Sequence, residues 1–280
     1  MTRLLPLLAV LLAGPATAAA DPVKLPPGVV VEAEVTDPAA AKVVLIAGTN
    51  VFKPGEHDYV AGCCLLMDLL KQTPGVAPVL ALDWPKKPAT FRGAKAVVFF
   101  FDGGDKHHVL KGNRVAEVQK LIDAGAGLVQ LHQAADYPAD LGDRVRGWAG
   151  GAWHKGAKRA HWVATFRTFP PHPIFNGVAP FTIDDGWLWQ NTFVPRMAGV
   201  TPLQRTVDPK GKDDPAADSA IVAWAYERPA GGRAFTFTGA HLHKSFDQEG
   251  YRRMLTNAAL WAAGREISPS GSPVVRPPSR

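Results

Sequence analysis

The sequence predicts a three-layer α/β domain built on a mainly parallel sheet. Three observations lead there. Near-continuous apolar runs end at Gly or at a polar residue: KVVLIAG over 42–48, KAVVFFF over 95–101 and GLVQL over 127–131. Such runs suit strands buried on both faces. Segments with helical periodicity lie between them, and Gly or Pro punctuates each change of period. Alternation of the two element types places helices on both faces of one sheet.

The N-terminus reads as a secretory leader over 1–20. Arg3 is its basic end, Leu4 to Leu12 its short apolar run, and Ala16 to Ala20 its small-residue end,. The run is too short to cross a bilayer, so the expectation is an exported protein, periplasmic or secreted, without a stable membrane anchor. Residues 21–41 read as a linker with an early strand at Val29 to Val35, residues 42–264 as the folded domain, and residues 265–280 as a disordered tail rich in Pro, Ser and Arg,.

Along the domain, the strand over 42–48 leads into GEHDYVAGCCLLMDLLKQ. Here Val60, Cys63, Cys64, Met67 and Leu70 recur at helical spacing,. Glu56 and Asp58 fall near its first turn, where acids favour the helix dipole, and Pro74-Gly75 stops it. Val79 to Leu82 is a second strand. After the third strand, Val115, Val118, Leu121 and Ile122 mark a helix that ends at Gly125, and the fourth strand runs straight into His132. The second half predicts a strand at Arg159 to Phe166 and an aromatic, acidic stretch at Phe181 to Trp189. An exposed loop follows at Val207 to Ser219. Two paired strands flank Pro-Ala-Gly-Gly, and a last helix spans Gln248 to Ala263.

Composition narrows the function. The 280 residues are 46% hydrophobic and carry a net charge of +6 with acids interleaved. No basic stripe with stacking aromatics occurs, which argues against nucleic acid. The two cysteines, Cys63 and Cys64, are adjacent and sit in an apolar helix, so they read as packing rather than a disulfide,. There is no G-x-S-x-G elbow, P-loop or G-x-G-x-x-G in context. The strand-to-helix elbow reads Leu131-His132-Gln133, without Cys or Ser, so covalent acyl transfer is unsupported.

The nine histidines carry the chemistry. Ligands bind beyond the carboxyl ends of parallel strands, which brings the loops at 48–58, 102–108 and 132–137 to one cleft. His132 and His57 are acid/base candidates there. His241 and His243 form an H-x-H pair; on extended backbone both face one way and can share a metal ion such as Zn²⁺, polarise a carbonyl, bind an organic ligand or serve the fold. Glu56, His161, Asp185 and Trp187 are candidate substrate-binding residues. Carboxylates beside indole faces suit sugar hydroxyls, although a Trp here can equally belong to the core. His107 and His108 read as a solvated loop and His172 as a turn residue.

The segments GEHDYVAG, DWPKKPATFRGAKAVVFFFDGG, GLVQLHQAA, PPHPIFNGV, DDGW and ERPAGGRAFTFTGAHLHKSF, in this order, resemble the trehalose-utilisation (ThuA-like) family. The resemblance implies a flavodoxin-like, class I glutamine amidotransferase-like fold without the amidotransferase Cys. It also implies action on disaccharides or their 3-keto forms, with His57, His132, Asp185, His241 and His243 at matching positions. Gly186 stands where relatives carry an acid.

The expected function is therefore an exported carbohydrate-active enzyme working on a small keto-sugar or disaccharide. Its chemistry would be His-based acid/base or metal-assisted: a hydrolase, lyase or isomerase. Its partner would be the small sugar, and a homodimer is left open. The alternatives are a non-catalytic carbohydrate-binding or interaction domain, and a metal-dependent hydrolase of a non-sugar substrate. Convergent histidines with an open ligand position favour a metal enzyme; a Trp-lined cleft without them favours a binder.

Overall fold

The computed structural model describes residues 23–154 and 156–277; the expected leader lies outside them. In chain order the elements are β1 (Ala41–Ala47), α1 (Tyr59–Leu70), β2 (Val76–Leu82), α2 (Pro88–Phe91), β3 (Ala94–Phe100), α3 (Arg114–Asp123), β4 (Gly127–Leu131), α4 (Gly142–Ala149), β5 (Gly151–Ala152), β6 (Lys158–Phe166), β7 (Phe181–Trp189), β8 (Thr192–Phe193), β9 (Val200–Arg205), β10 (Ile221–Glu227), β11 (Arg233–Phe237) and α5 (Glu249–Ala262).

The main sheet runs β2-β1-β3-β4-β11-β10-β9. Every neighbouring pair from β2 through β11 is parallel, and β10 alone runs against the rest. The period of two along β1 divides its side chains between the faces. Val43, Leu45 and Ala47 pack with α1 and α5, while Val44 and Ile46 pack with Val118 of α3 and Val145 and Trp148 of α4. This is the three-layer architecture expected from the sequence. A separate antiparallel hairpin, β6–β7, contributes Trp162, Ala164, Phe166, Phe181 and Ile183 to the α1/α5 core. Its opposite face carries exposed Arg159, His161 and Val163.

Several expectations need correction. The segment assigned as a linker is docked: Val31 bridges Leu80, and the buried Glu32 carboxylate accepts from Lys86 N, Lys87 N and Thr90 Oγ1. Only this isolated bridge replaces the strand expected at Val29 to Val35. The tail is packed through 277 rather than disordered. Ile267 and Val274 bury against the core, and Ser272 donates twice to Asn257 Oδ1. Two apolar anchors and a buried Asn partner outweigh the polar composition between them. His107 and His108 are buried too. They pack on Phe101, with His107 against Tyr137 and His108 Nδ1 2.8 Å from the Asp83 carbonyl. The acids expected in the first turn of α1 precede it, because the helix begins at Tyr59; Asp58 instead accepts from Gly55 N. Among the described residues no helix is long and apolar enough to cross a membrane.

Candidate metal centre

Parallel strands deliver their following loops to one edge of the sheet. His57 comes from the β1–α1 loop, Asp102 follows β3, His132 follows β4, and His241 follows β11. The His57, His132 and His241 ligand atoms all lie within 4.8 Å of one another, and all three residues are buried. This set replaces the expected His241–His243 pair.

Two mutually supporting features hold the cluster. The first and last loops are zipped by backbone: His57 N donates to His241 O at 2.8 Å, His243 N donates to Gly55 O at 2.9 Å, and Glu56 bridges Leu242. Beneath them, fully buried Asp185 gathers the 240–242 turn. Its carboxylate accepts from Ala240 N at 3.0 Å, His241 N at 2.8 Å, Leu242 N at 3.1 Å, Gly186 N at 2.9 Å and Ser245 Oγ at 3.1 Å. Burial pushes this carboxyl up to about 6, against the pull of the N–H donors. Three non-glycine residues here adopt left-handed backbone: His57 at φ 52°, His132 at φ 53° and Ala240 at φ 73°. Such strain, of order 1–3 kcal/mol per residue, persists only where its surroundings enforce it.

Hydrogen-bond partners set the imidazole tautomers. Tyr59 donates its hydroxyl to Asp102 Oδ1 at 2.8 Å, so its oxygen accepts from His57 Nδ1 at 2.6 Å. Asn50 also donates to Asp102. The Thr238 carbonyl can only accept, so His132 donates to it from Nδ1 at 3.1 Å. Both rings therefore keep Nε2 as a lone-pair nitrogen. His132 Nε2 lies 3.2 Å from His241 Nδ1. Burial holds all three imidazoles below the usual histidine range, with His241 down to about 3. Neighbouring histidines reinforce this at His132 and His241, while Asp102 opposes it at His57. The rings are neutral at pH 7, the form that binds a metal.

The donor set fits a divalent ion. Zn–N bonds of ~2.0–2.1 Å place two ligands on a tetrahedral ion ~3.3 Å apart, and the His132–His241 pair already has that spacing. His57 and His132 direct their other nitrogen to an acceptor, the usual outer partner of a ligating His. The cluster opens onto a cleft of about 310 Å³ lined also by Gln133, Arg159 and His161. Three protein ligands and one open position are the pattern of a catalytic rather than structural zinc site.

The remaining candidates fall elsewhere. His161 is exposed on the cleft wall, its ring edge-on to His241 at 4.5 Å. His243 starts a helical turn and packs on Phe246, 5.4 Å between rings, and does not join the cluster. The same-side rule for H-x-H needs extended backbone, and the chain has left β11 before either residue. Asp185 does not face ligand, because its oxygens are taken by backbone donors. Trp187 borders the cleft but is 1% exposed, its indole donating to Trp162 O and packing edge-on against Phe237. Glu56 is half-buried and is not among the cleft-lining residues. Gly186 has a steric reason: a Cβ there would sit 2.8 Å from His241 Cγ and 3.1 Å from His161 Cε1.

Sequence reasoning missed Tyr59, Asp102, Gln133 and Arg159. Asp102 directly follows a buried strand, the same signal that marked His132. Arg159 lies two residues before His161 on one strand and so shares its face. Tyr59 carried no signal beyond its nearness to His57.

Comparison with known proteins agrees with this architecture. Two crystal structures of proteins described as ThuA-like align over most of both chains. The one from Bacteroides uniformis is 16% identical, covering 84% of this chain and 96% of that one with TM-score 0.59. The one from Parabacteroides merdae is 15% identical, covering 82% and 92% with TM-score 0.55. A glutamine amidotransferase from Thermotoga maritima is 8% identical over 80% and 98%, with TM-score 0.47. For the two ThuA-like structures, the likeness at these identities is one of fold. No curated protein matches the chain. The family model described as "Trehalose utilisation" matches residues 43–262, and the chain belongs to the ThuA family.

Proposed function

We propose that the chain is an exported, metal-assisted enzyme acting on a small keto-sugar or disaccharide. The observation that carries this reading is the convergence of three neutral, oriented imidazoles on an open cleft. A divalent ion held there, zinc or similar, supplies Lewis acidity toward a substrate oxygen. His57, His132 and His241 would hold it, and the Tyr59–Asp102 pair fixes the His57 ring. His161, outside the triad and exposed to the cleft, is placed to move a proton at the reacting carbon or oxygen. The buried Trp187 and the absence of an exposed indole among the cleft-lining residues favour catalysis over simple sugar binding. The family's trehalose-utilisation description supports a sugar substrate.

The test is turnover of a panel of 3-keto-disaccharides by zinc-loaded protein lacking residues 1–20, compared with the His132→Ala variant. Turnover that requires both zinc and His132 supports the reading. An inert, metal-free wild type refutes it.

A further inference from the structure

The charge inventory of the cleft is one-sided. Among the described residues lining it, Arg159 is the only formally charged one, and none is a carboxylate. None of the acids nearby lines the cleft, although the charges of Asp102, Glu56 and Asp58 reach His57. Asp102 accepts from Tyr59 and Asn50, Asp185 is enclosed by backbone donors, and Asp184 pairs with Lys244 at 3.1 Å. Asp136 feels the charge of Arg159, yet no ion pair within 4.0 Å forms between them. A divalent ion on three neutral imidazoles would receive no anionic ligand from the triad. Cation and exposed guanidinium would then flank one open cleft. A neutral sugar brings no charge to meet the guanidinium; an oxyanion meets it through charge-assisted bonds.

We infer that the physiological ligand of this cleft is a carbohydrate bearing an oxyanion, a sugar acid or sugar phosphate, whose anionic group is met by the Arg159 guanidinium. The inference rests on the metal reading for part of the charge and on Arg159 for the rest. His161, which shares the Arg159 face of β6, would lie along the sugar between the anionic group and the triad. The guanidinium gives a planar, two-pronged contact that lysine does not reproduce.

The experiment is calorimetric titration of wild type, Arg159→Gln and Arg159→Lys, each with its zinc content measured. The probes are glucuronate, glucose 6-phosphate, glucose and trehalose. The expected result is that at least one anionic probe binds wild type ~10-fold or more tighter than glucose. Arg159→Gln removes that preference at unchanged zinc content, and Arg159→Lys keeps only part of it. Glucuronate and the phosphate ester separate a carboxylate ligand from a phosphate one. Equal or tighter binding of the neutral sugars, an unchanged preference in Arg159→Gln, or no binding of any probe would overturn the inference. An Arg159-dependent preference in a protein that holds no zinc would sustain the anion site while removing the metal reading, so the two failures are distinguishable.

Discussion

His132 Nε2 stands 3.2 Å from His241 Nδ1, though the residues are 109 positions apart. His132 follows β4 and His241 follows β11, and these strands are parallel neighbours. The contact is thus a direct product of strand order. Without an ion, His241 Nδ1–H donates to the His132 lone pair; if an ion were held there, both nitrogens would serve as its ligands.

Tyr59 transmits the Asp102 charge to His57. Tyr59→Phe leaves Asp102 its Asn50 partner but orphans His57 Nδ1–H. We expect zinc affinity to fall about 10–100-fold and stability to fall by ~1–3 kcal/mol. Competition with a chromogenic chelator measures the first and urea unfolding the second. Unchanged zinc affinity would remove Tyr59 from the site.

Asp185 acts through the backbone it gathers. Asp185→Asn turns an NH₂ toward N–H donors, so stability should fall by roughly 1.5–3 kcal/mol and zinc binding should weaken with it. Denaturant midpoints and zinc titrations report both. A variant as stable as wild type would show that the 240–242 turn does not depend on this carboxylate.

Gly186 leaves space for His241. Gly186→Ala should cost about 1–3 kcal/mol and displace the His241 ring, lowering zinc affinity more than a general loss of stability explains. A crystal structure of the variant with His241 unmoved would contradict this.

Asp136 supplies a pH signature. Burial raises its folded pKa to about 7, against an ordinary 3.8. Between those values the folded state binds more protons than the unfolded one, so this group's contribution to stability declines as pH rises from about 4 to about 7. Asp136→Asn abolishes the decline. The variant should exceed wild type by ~1–2 kcal/mol at pH 8, a figure discounted for partial exposure, with the gap closing near pH 4. Parallel unfolding curves across that range check it.

The sheet and the edge that carries the candidate site were legible because apolar runs ending at His132 and Gly48 are local signals. His57 and His132 were found by position alone. His243 was paired with His241 because the pattern assumed extended backbone, whereas positive φ at Ala240 and a helical turn from His243 separate the two rings. Asp185 looked like a sugar ligand because its sequence neighbours are aromatic; most of its actual partners lie on the 240–245 segment, 55 to 60 residues away, which no spacing reveals. Residues 265–277 looked disordered by composition, which averages over the two apolar anchors that dock them.

Elemental analysis of protein lacking residues 1–20, dialysed against micromolar zinc, tests the metal centre most directly. The expected result is close to one ion per chain in wild type and His243→Ala, and far less in His57→Ala, His132→Ala and His241→Ala. A wild type that binds no ion, or a His243→Ala variant that loses it while the triad variants retain it, would contradict the assignment of His57, His132 and His241 as the ligands.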